Sequence, residues 1–455
     1  MDEDTIVAIS TPPGRGAMGI IRLSGPQATA VADALFRGRG RPSEFPSHTV
    51  HFGRLVDGEE VVDEVLLTVF RAPHSYTGED VVEISCHGSP VVLRRVLYLA
   101  VRQGARLAEP GEFTKRAFLN GKMDLAQAEA VMDVVCAQTE LSARAAMSQL
   151  EGHLSRRVEE LRQQLIDFLA HLEAALDFTD EDIEIISPTE QRQRAEALLG
   201  ELRRLAASAE KGKVLREGVT TVIAGRPNVG KSSLMNLLLR EDRVIVTPVP
   251  GTTRDVVEDL VNIRGLPLRL LDTAGLRPTE DLVEREGVSR TQTWLERADL
   301  VLLVLDRSEP LQAEDRLALT AVAGRPTVVV LNKSDLPPRL ETQEVARRLP
   351  QAPQVLLSAL TGAGLSELEA AIERLVWEGG VEPGDVLVTN VRHQRALEEA
   401  AEYMERVLET LAVGYSEELV AVDLRGALRC VGEIVGETLT EDIIHHIFST
   451  FCIGK

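Results

Sequence analysis

The sequence contains no apolar run that is long enough to cross a membrane. Hydrophobic stretches such as Leu300–Leu305 and Thr327–Leu331 have the length of single strands, whereas a transmembrane helix needs about 20 apolar residues. The acidic beginning Met1-Asp2-Glu3-Asp4 is unlike a signal peptide. We therefore expect a soluble, cytoplasmic protein that does not act at a membrane.

Cysteine is also scarce. The four cysteines, Cys86, Cys136, Cys430 and Cys452, are far apart and form no Cys-x-x-Cys pair. This spacing argues against a disulfide framework and against a structural zinc site, and it fits a reducing compartment.

Positive charge is in deficit, because the chain has only 50 Lys and Arg residues but 71 Asp and Glu residues. Its formal net charge is −21. A chain with this balance does not coat nucleic acid through its general electrostatic field. If a nucleic acid is a substrate, a basic partner is expected to hold much of it.

The chain of 455 residues is too long for one compact core, and 44% hydrophobic with 27% charged residues is typical of globular domains. Residues 1–118 mix short strands with two helical patterns, which predicts an α+β domain. Residues 119–215 and 379–455 carry long amphipathic helical patterns that predict a helical bundle. Residues 216–378 alternate strands and helices, which predicts an α/β domain with a mostly parallel sheet, inserted into the helical domain. The two attachment points near 215 and 380 should then lie side by side.

A phosphate-binding loop is the most informative motif. The segment Gly225-Arg226-Pro227-Asn228-Val229-Gly230-Lys231-Ser232 follows the apolar run Val219–Ala224 and leads into a helical pattern. The two glycines let backbone N–H groups turn toward phosphate oxygens, the lysine reaches the outer phosphates, and the serine hydroxyl binds magnesium. The strand, loop and helix context therefore predicts a nucleoside triphosphate site.

Three later motifs complete a nucleotide site that, with the phosphate-binding loop, specifies guanine rather than adenine. Asp272-Thr273-Ala274-Gly275 ends a strand, where a carboxylate can hold magnesium through water and a backbone N–H can contact the terminal phosphate. In Asn332-Lys333-Ser334-Asp335, the last carboxylate can accept two hydrogen bonds from N–H groups that adenine lacks. Ser358-Ala359-Leu360 follows the last strand and can add backbone donors for the guanine oxygen. Together with the phosphate-binding loop they predict a guanine-nucleotide site, in a domain that resembles Ras-like GTPases.

The catalytic group is not evident from the motifs alone. The residue after the Asp-x-x-Gly motif is Leu276, which cannot position water as the glutamine of Ras-like switches does. The following acidic residues, which composition does not rank, are Glu280, Asp281, Glu284 and Glu286. Candidates for an internal arginine finger are Arg226, Arg254 and Arg277.

The nucleotide domain resembles translation-factor-type GTPases, and essentially the whole chain resembles the MnmE (TrmE) family of tRNA uridine-modification GTPases. The motifs that carry this resemblance are the segment Ala117–Leu125, the run Gly251-Thr252-Thr253-Arg254-Asp255 and the ending Phe451-Cys452-Ile453-Gly454-Lys455. The Cys-Ile-Gly-Lys ending, joined to this domain order, is more specific than the guanine motifs.

The resemblance implies roles for individual residues of the nucleotide site. It implies that Glu284 orients the attacking water, and that a potassium ion takes the place of an arginine finger. The potassium ligands would be Asn228, Thr247, Val249 and Thr252, and the magnesium ligands would be Ser232 and Thr253. The complete expected GTP site consists of Gly225, Asn228, Val229, Gly230, Lys231, Ser232, Ser233, Thr247, Pro248, Val249, Pro250, Gly251, Thr252, Thr253, Asp272, Thr273, Ala274, Gly275, Asn332, Lys333, Asp335, Ser358, Ala359 and Leu360.

For the N-terminal domain, the resemblance implies dimerisation and a site for 5-formyl-tetrahydrofolate or methylene-tetrahydrofolate. The residues that match the folate positions are Arg22, Glu83, Lys122 and Lys455. A carboxylate for ring N–H groups and cations for carboxylates suit a pterin with a glutamate tail. Two interpretations of Cys452 are considered: it could be a reactive thiol beside the folate or an inert buried cysteine. The adjacent pairs Cys86-His87 and His445-His446 are expected to be structural, because neighbouring side chains diverge on a strand or helix.

The resemblance also implies partners. It implies a homodimer that works with a flavin (FAD) protein of the MnmG (GidA) type, in a heterotetramer or larger complex, on C5 of the wobble uridine at position 34 of certain tRNAs. The product would be carboxymethylaminomethyl- or aminomethyl-uridine. Two alternatives are a ribosome-assembly switch of the Era or Der kind, which would need an RNA-binding module, and a scaffold with an inactive nucleotide site.

Overall fold

The computed structural model describes residues 4–177, 187–242, 258–271, 294–377, 386–413 and 417–455. The chain divides into two compact units. The first contains Met1–Met132, Leu150–Ile185 and Ser416–Lys455, and the second contains Asp133–Gln149 and Ile186–Tyr415.

A seven-stranded sheet forms the N-terminal part of the first unit. Its strands are β1 (Ile6–Ile9), β2 (Met18–Ser24), β3 (Phe36–Gly38), β4 (Thr49–Asp57), β5 (Glu60–Phe70), β6 (Val81–His87) and β7 (Arg106–Leu107), in the order β3-β4-β5-β6-β2-β1-β7. All neighbours are antiparallel except β1 and β7. Three helices accompany the sheet, α1 (Ala28–Leu35), α2 (Pro90–Arg102) and α3 (Glu112–Leu119). The predicted α+β fold is confirmed.

Alternation along the strands gives this sheet two different faces. Ile21 and Leu23 of β2 are fully buried in the core that includes residues of α1 and α2. Since successive side chains point to opposite faces, Arg22 lies on the other face, where its guanidinium contacts the ring of Phe113 in α3. Arg22 of the candidate folate site is therefore on the face opposite to α1 and α2.

Helices form the rest of the first unit. They are α4 (Leu125–Cys136), α6 (His153–Asp177), α13 (Glu417–Val435) and α14 (Glu441–Ser449); α4 and α5 (Glu140–Leu150) extend across the division between the units. The side chains of Leu161, Leu165, Phe168 and Leu172 are buried at helical spacing, as the sequence pattern predicts. An ion pair of 2.5 Å joins Glu173 of α6 to Arg425 of α13.

A six-stranded sheet is the centre of the second unit. Its strands are β8 (Val219–Ala224), β9 (Glu258–Ile263), β10 (Leu266–Leu271), β11 (Leu300–Asp306), β12 (Thr327–Asn332) and β13 (Gln354–Leu356), in the order β13-β12-β11-β8-β10-β9. Only the pair β9 and β10 is antiparallel. Helices α8 (Lys231–Asp242), α9 (Ala313–Ala321), α10 (Thr342–Arg348) and α11 (Leu365–Val376) accompany it. All seven residues of β11 are buried, as expected for a strand covered on both faces. This is the predicted Ras-like arrangement.

The chain connections on the two sides of this sheet lie together. Helix α7 (Pro188–Glu217) precedes β8 and packs along α12 (Val391–Val413). Asp133 pairs with Arg216 at the end of α7, with 3.0 Å between Oδ1 and Nε, and accepts a 3.1 Å hydrogen bond from the Thr389 hydroxyl. Arg216 and Thr389, which are described residues close in sequence to the two expected attachment points, are therefore joined through Asp133. The domain limits at residues 118, 215 and 378 stay predictions.

Candidate functional site

The phosphate-binding loop has the backbone shape that its sequence suggests. It leaves the end of β8 and enters α8 at Lys231, with positive φ angles of 143° at Gly225, 64° at Asn228 and 100° at Gly230. A Cβ atom at Gly225 would lie 2.4 Å from the Val304 carbonyl oxygen, and one at Gly230 would lie 2.2 Å from Nδ2 of Asn332. Glycine is thus required at both positions for close approach as well as for backbone conformation.

Lys231 folds back over this loop. Its ammonium group donates hydrogen bonds of 2.8 Å to the Gly225 carbonyl oxygen and 2.9 Å to the Arg226 carbonyl oxygen. Burial lowers the pKa of Lys231, because the charged ammonium group loses part of its hydration and the neutral form is favoured. A phosphate anion at the loop would stabilise the charged form. Ser232 and Ser233 are exposed in the first turn of α8, which leaves the Ser232 hydroxyl accessible to a magnesium ion.

Asn332 joins the phosphate loop to the base-recognition motifs. Its Nδ2 donates a 2.8 Å hydrogen bond to the Val229 carbonyl oxygen, and its Oδ1 accepts a 2.9 Å hydrogen bond from the Ala359 backbone N–H. The side chain of Ser358 donates a 2.6 Å hydrogen bond to Oδ1 of Asp335. Three of the four sequence motifs are therefore brought together at the carboxyl ends of parallel strands, where open α/β sheets bind ligands.

Arg226 is held by carboxylates of the segment after β11. Its Nη2 lies 2.5 Å from Oε2 of Glu309, and its Nε lies 3.3 Å from Oδ2 of Asp315. Burial lowers the pKa of Arg226, but the Glu309 hydrogen bond and both carboxylate charges outweigh burial and raise it. The two carboxylates already neutralise this guanidinium, so the structure disfavours Arg226 as an arginine finger.

Of the other expected residues, Leu360 is 86% exposed and Lys333 is paired with Asp306, and the rest lie outside the described ranges. These are Thr247, Pro248, Val249, Pro250, Gly251, Thr252, Thr253, Asp272, Thr273, Ala274, Gly275 and Glu284, together with the arginine-finger candidates Arg254 and Arg277. Of the expected potassium ligands, only Asn228 is described. It is exposed with a positive φ angle, so its amide oxygen is accessible to a cation.

A second polar site lies on the outer face of the N-terminal sheet. Arg22 and Glu83 are register partners on β2 and β6, and both Nε and Nη2 of Arg22 lie 2.8 Å from Oε1 of Glu83. The arginine also donates a 3.4 Å hydrogen bond to the Gly454 carbonyl oxygen and contacts the ring of Tyr76 at 5.5 Å. The C-terminal residues are therefore part of this site.

The end of the chain is fixed against the segment that begins α3. The Gly111 N–H donates to the Cys452 carbonyl oxygen, and the Phe113 N–H donates to the Lys455 carbonyl oxygen. Burial first, and the Arg22 charge second, lower the pKa of Lys455. Two cations that are close together and partly desolvated form a site that favours a carboxylate ligand.

Lys122 differs from the other folate candidates in its hydrogen-bond partner, which is a loop carbonyl oxygen. Its exposed side chain donates a 3.0 Å hydrogen bond to the Pro73 carbonyl oxygen, in the loop that also carries Tyr76. Tyr76 and Phe113 are contacts that the sequence reasoning missed, because no local pattern connects either ring to Arg22. Cys452 is of intermediate exposure.

Cys86 and His87 are not arranged as a reactive pair. Cys86 is buried, and burial raises the pKa of its thiol to about 12. His87 is directed away and pairs with Asp63, with 2.6 Å between Nδ1 and Oδ1. Within the residues that the structure describes, no group of three or more His, Cys, Asp or Glu side chains could hold a metal ion, so His445-His446 has no metal-site partners there.

Comparison with known proteins identifies relatives over the full chain. A family model described as the MnmE helical domain matches residues 125–452, and one described as the GTP-binding protein TrmE N-terminus matches residues 5–122. The tRNA modification GTPase MnmE of Geobacillus kaustophilus is 50% identical over 458 residues, covering 99% of each chain. The protein of the same name from Bacillus subtilis is 48% identical and is covered completely, with 99% of this chain aligned.

Among solved structures, the Era protein of Aquifex aeolicus bound to GDP and AlF4− is similar at 29% identity. The match covers 41% of this chain and 67% of that protein, with a TM-score of 0.28. In the part of the chain that the structure describes, no helix is both long and apolar enough to span a membrane.

Proposed function

Because the chain belongs to the MnmE family of tRNA modification GTPases, we propose that it couples GTP hydrolysis to a specific change at the wobble uridine of certain tRNAs. The protein hydrolyses GTP and acts in tRNA modification. The finer proposal is that it works as a homodimer with an FAD protein of the MnmG type. The pair would transfer a tetrahydrofolate one-carbon unit, with a glycine- or ammonium-derived amine, to C5 of uridine 34. A tRNA substrate also supports a cytoplasmic location.

The single observation that carries the nucleotide part of this proposal is the double hydrogen bond of Asn332. It ties the phosphate loop to Ala359 while Ser358 fixes Asp335. We propose that Asp335 reads the guanine N–H groups, that Lys231 contacts the outer phosphates and that Ser232 with Thr253 binds magnesium. A scaffold with an inactive site is disfavoured, because the phosphate loop keeps its glycine geometry and its lysine.

For hydrolysis, we propose Glu284 as the residue that orients water and potassium as the charge-neutralising ion. Asn228, Thr247, Val249 and Thr252 would hold this ion. Neutral amide, hydroxyl and carbonyl oxygens are ligands that suit a hard cation, and the pairing of Arg226 with Glu309 and Asp315 removes one competing arginine. The ion would supply positive charge where negative charge develops between the β- and γ-phosphates.

For the one-carbon donor, we propose the site of Arg22, Glu83 and Lys455, with Lys122 at its edge. The Glu83 carboxylate can accept hydrogen bonds from pterin N–H groups, and the cations can bind the carboxylates of the glutamate tail. The partly buried position of Lys455 and its closeness to the Arg22 charge support an anionic ligand there. We also propose that the thiol of Cys452 lies near this site and takes part in the one-carbon transfer.

Mass spectrometry of wobble uridines tests the function. In a strain that lacks this protein, we expect carboxymethylaminomethyl- and aminomethyl-uridine to disappear from position 34, and expression of the wild-type chain should restore both. Unchanged modification would contradict the proposal. The guanine site is tested separately with Asp335→Asn, because an amide at this position should favour xanthine over guanine nucleotides.

A further inference from the structure

The end of β11 and the segment that follows it contact the proposed base-recognition loop, Asn332-Lys333-Ser334-Asp335. Asp306, the last residue of β11, is the register partner of Asn332 at the end of β12. The next residue, Arg307, donates its backbone N–H to the Asn332 carbonyl oxygen at 3.0 Å. Asp306 is 3% exposed, and no nucleotide-binding motif of the sequence includes it.

The carboxylate of Asp306 is used on both of its oxygens. Oδ2 lies 2.5 Å from the ammonium group of Lys333, and Oδ1 accepts hydrogen bonds from the Ser308 N–H at 2.9 Å and the Ser308 hydroxyl at 2.6 Å. Burial raises the pKa of Asp306, but Lys333 and Ser308 outweigh burial and lower it. The turn that contains Ser308 therefore orients the Asp306 carboxylate, and in this orientation the carboxylate pairs with Lys333.

The conformation of Lys333 is costly unless a partner such as Asp306 holds its side chain. Its φ angle is 60°, in the left-handed region that costs energy for a residue with a side chain and is found at functional sites held by their surroundings. A free lysine also has a large rotamer entropy, part of which is lost when the side chain is ordered. The ion pair with Asp306 offsets both costs before a nucleotide arrives.

We propose that Asp306 is a positioning residue for guanine-nucleotide binding, which fixes Lys333 between Asn332 and Asp335 and so preorganises the base-recognition loop. This inference rests on the proposed nucleotide site. Asp306 acts through Lys333 and does not itself contact the base. Since the base and not the terminal phosphate is involved, GTP and GDP should be affected equally.

A double-mutant cycle on the full-length protein tests this inference. The affinities for ribose-labelled fluorescent GDP and for a non-hydrolysable GTP analogue are measured for wild type, Asp306→Asn, Lys333→Met and the double variant. We expect Asp306→Asn to weaken both nucleotides about tenfold, the size of one hydrogen bond to a charged group. The double variant should bind no more weakly than Lys333→Met alone, because the two residues act as one unit.

The matched control is Asp299→Asn. Asp299 precedes the same strand at its opposite end and accepts a 2.9 Å hydrogen bond from the Thr220 N–H, so its loss should leave nucleotide affinity unchanged. If Asp306→Asn does not fold, Asp306→Glu keeps the charge, and its affinity should stay within about threefold of wild type, because the longer side chain can still reach the ammonium group.

Three results would overturn the inference: unchanged affinity in Asp306→Asn, a loss for GTP without a loss for GDP, or full additivity with Lys333→Met. The Asp335→Asn variant separates this failure from failure of the proposed site. If Asp335→Asn shifts preference to xanthine while Asp306→Asn has no effect, the base site is correct and only the role of Asp306 is wrong. If Asp335→Asn does not change base preference, the proposed site itself is wrong.

Discussion

Replacement of Asn332 by alanine should destabilise the nucleotide domain and not only weaken its ligand. The side chain is 2% exposed and bridges the Val229 carbonyl oxygen and the Ala359 N–H. Alanine would leave both backbone groups without these partners. An unsatisfied buried polar group costs about 1–3 kcal/mol, so the two together should lower the free energy of unfolding by about 3 kcal/mol.

Tryptophan fluorescence is a suitable assay because both tryptophans of the chain are in this domain. Trp377 is 7% exposed in the core that contains Val328 and Val330, and Trp294 packs against the core that contains Val329 and Leu331. Urea unfolding followed by fluorescence thus reports on this domain within a multidomain protein. With a slope of about 2 kcal/mol per M, the midpoint should fall by about 1.5 M.

Asn236→Ala is the matched control, since Asn236 is exposed on α8 and its replacement should leave the midpoint nearly unchanged. Saturating GDP should stabilise the wild type and the control strongly, as a ligand that binds only the native state does, and should stabilise Asn332→Ala much less. A midpoint of Asn332→Ala equal to that of Asn236→Ala would refute the bridging role that we assign to Asn332.

Three further predictions concern chemistry and pH. Sodium in place of potassium should slow GTP hydrolysis strongly, and equal turnover in both salts would contradict the assignment around Asn228. Glu284→Ala should keep GTP affinity and lose turnover; loss of binding would instead indicate a structural role. Burial raises the pKa of Glu112, but hydrogen bonds from Arg106, the Glu109 N–H and Arg116 outweigh burial and lower it, so its contribution to stability is present above about pH 4.5 and is lost as pH falls through the lower folded-state pKa. The rate of amide hydrogen exchange in β1 should therefore differ between Glu112→Gln and wild type at pH 7, and it should be the same for both proteins in acid.

Much of the fold and the nucleotide site follows from the sequence. The order of strands and helices between residues 216 and 378, the phosphate loop and the motifs that select guanine depend on local patterns: apolar runs, glycines at fixed offsets and short polar motifs after strands. Glycine at 225 and 230 is required both by the backbone and by the close approach of Val304 and Asn332. The ending Cys452-Ile453-Gly454-Lys455 and the domain order were sufficient to indicate the family.

Other features were decided only by the tertiary structure. The pairing of Arg22 with Glu83 depends on the register of β2 against β6, and the pairing of Lys333 with Asp306 depends on β11 and β12 ending at the same level. Arg226 is a plausible arginine finger in the sequence, yet its carboxylate partners follow a different strand. Sequence periodicity determines which face a residue occupies, but register and strand order determine which charges meet, because these contacts join segments that are distant along the chain.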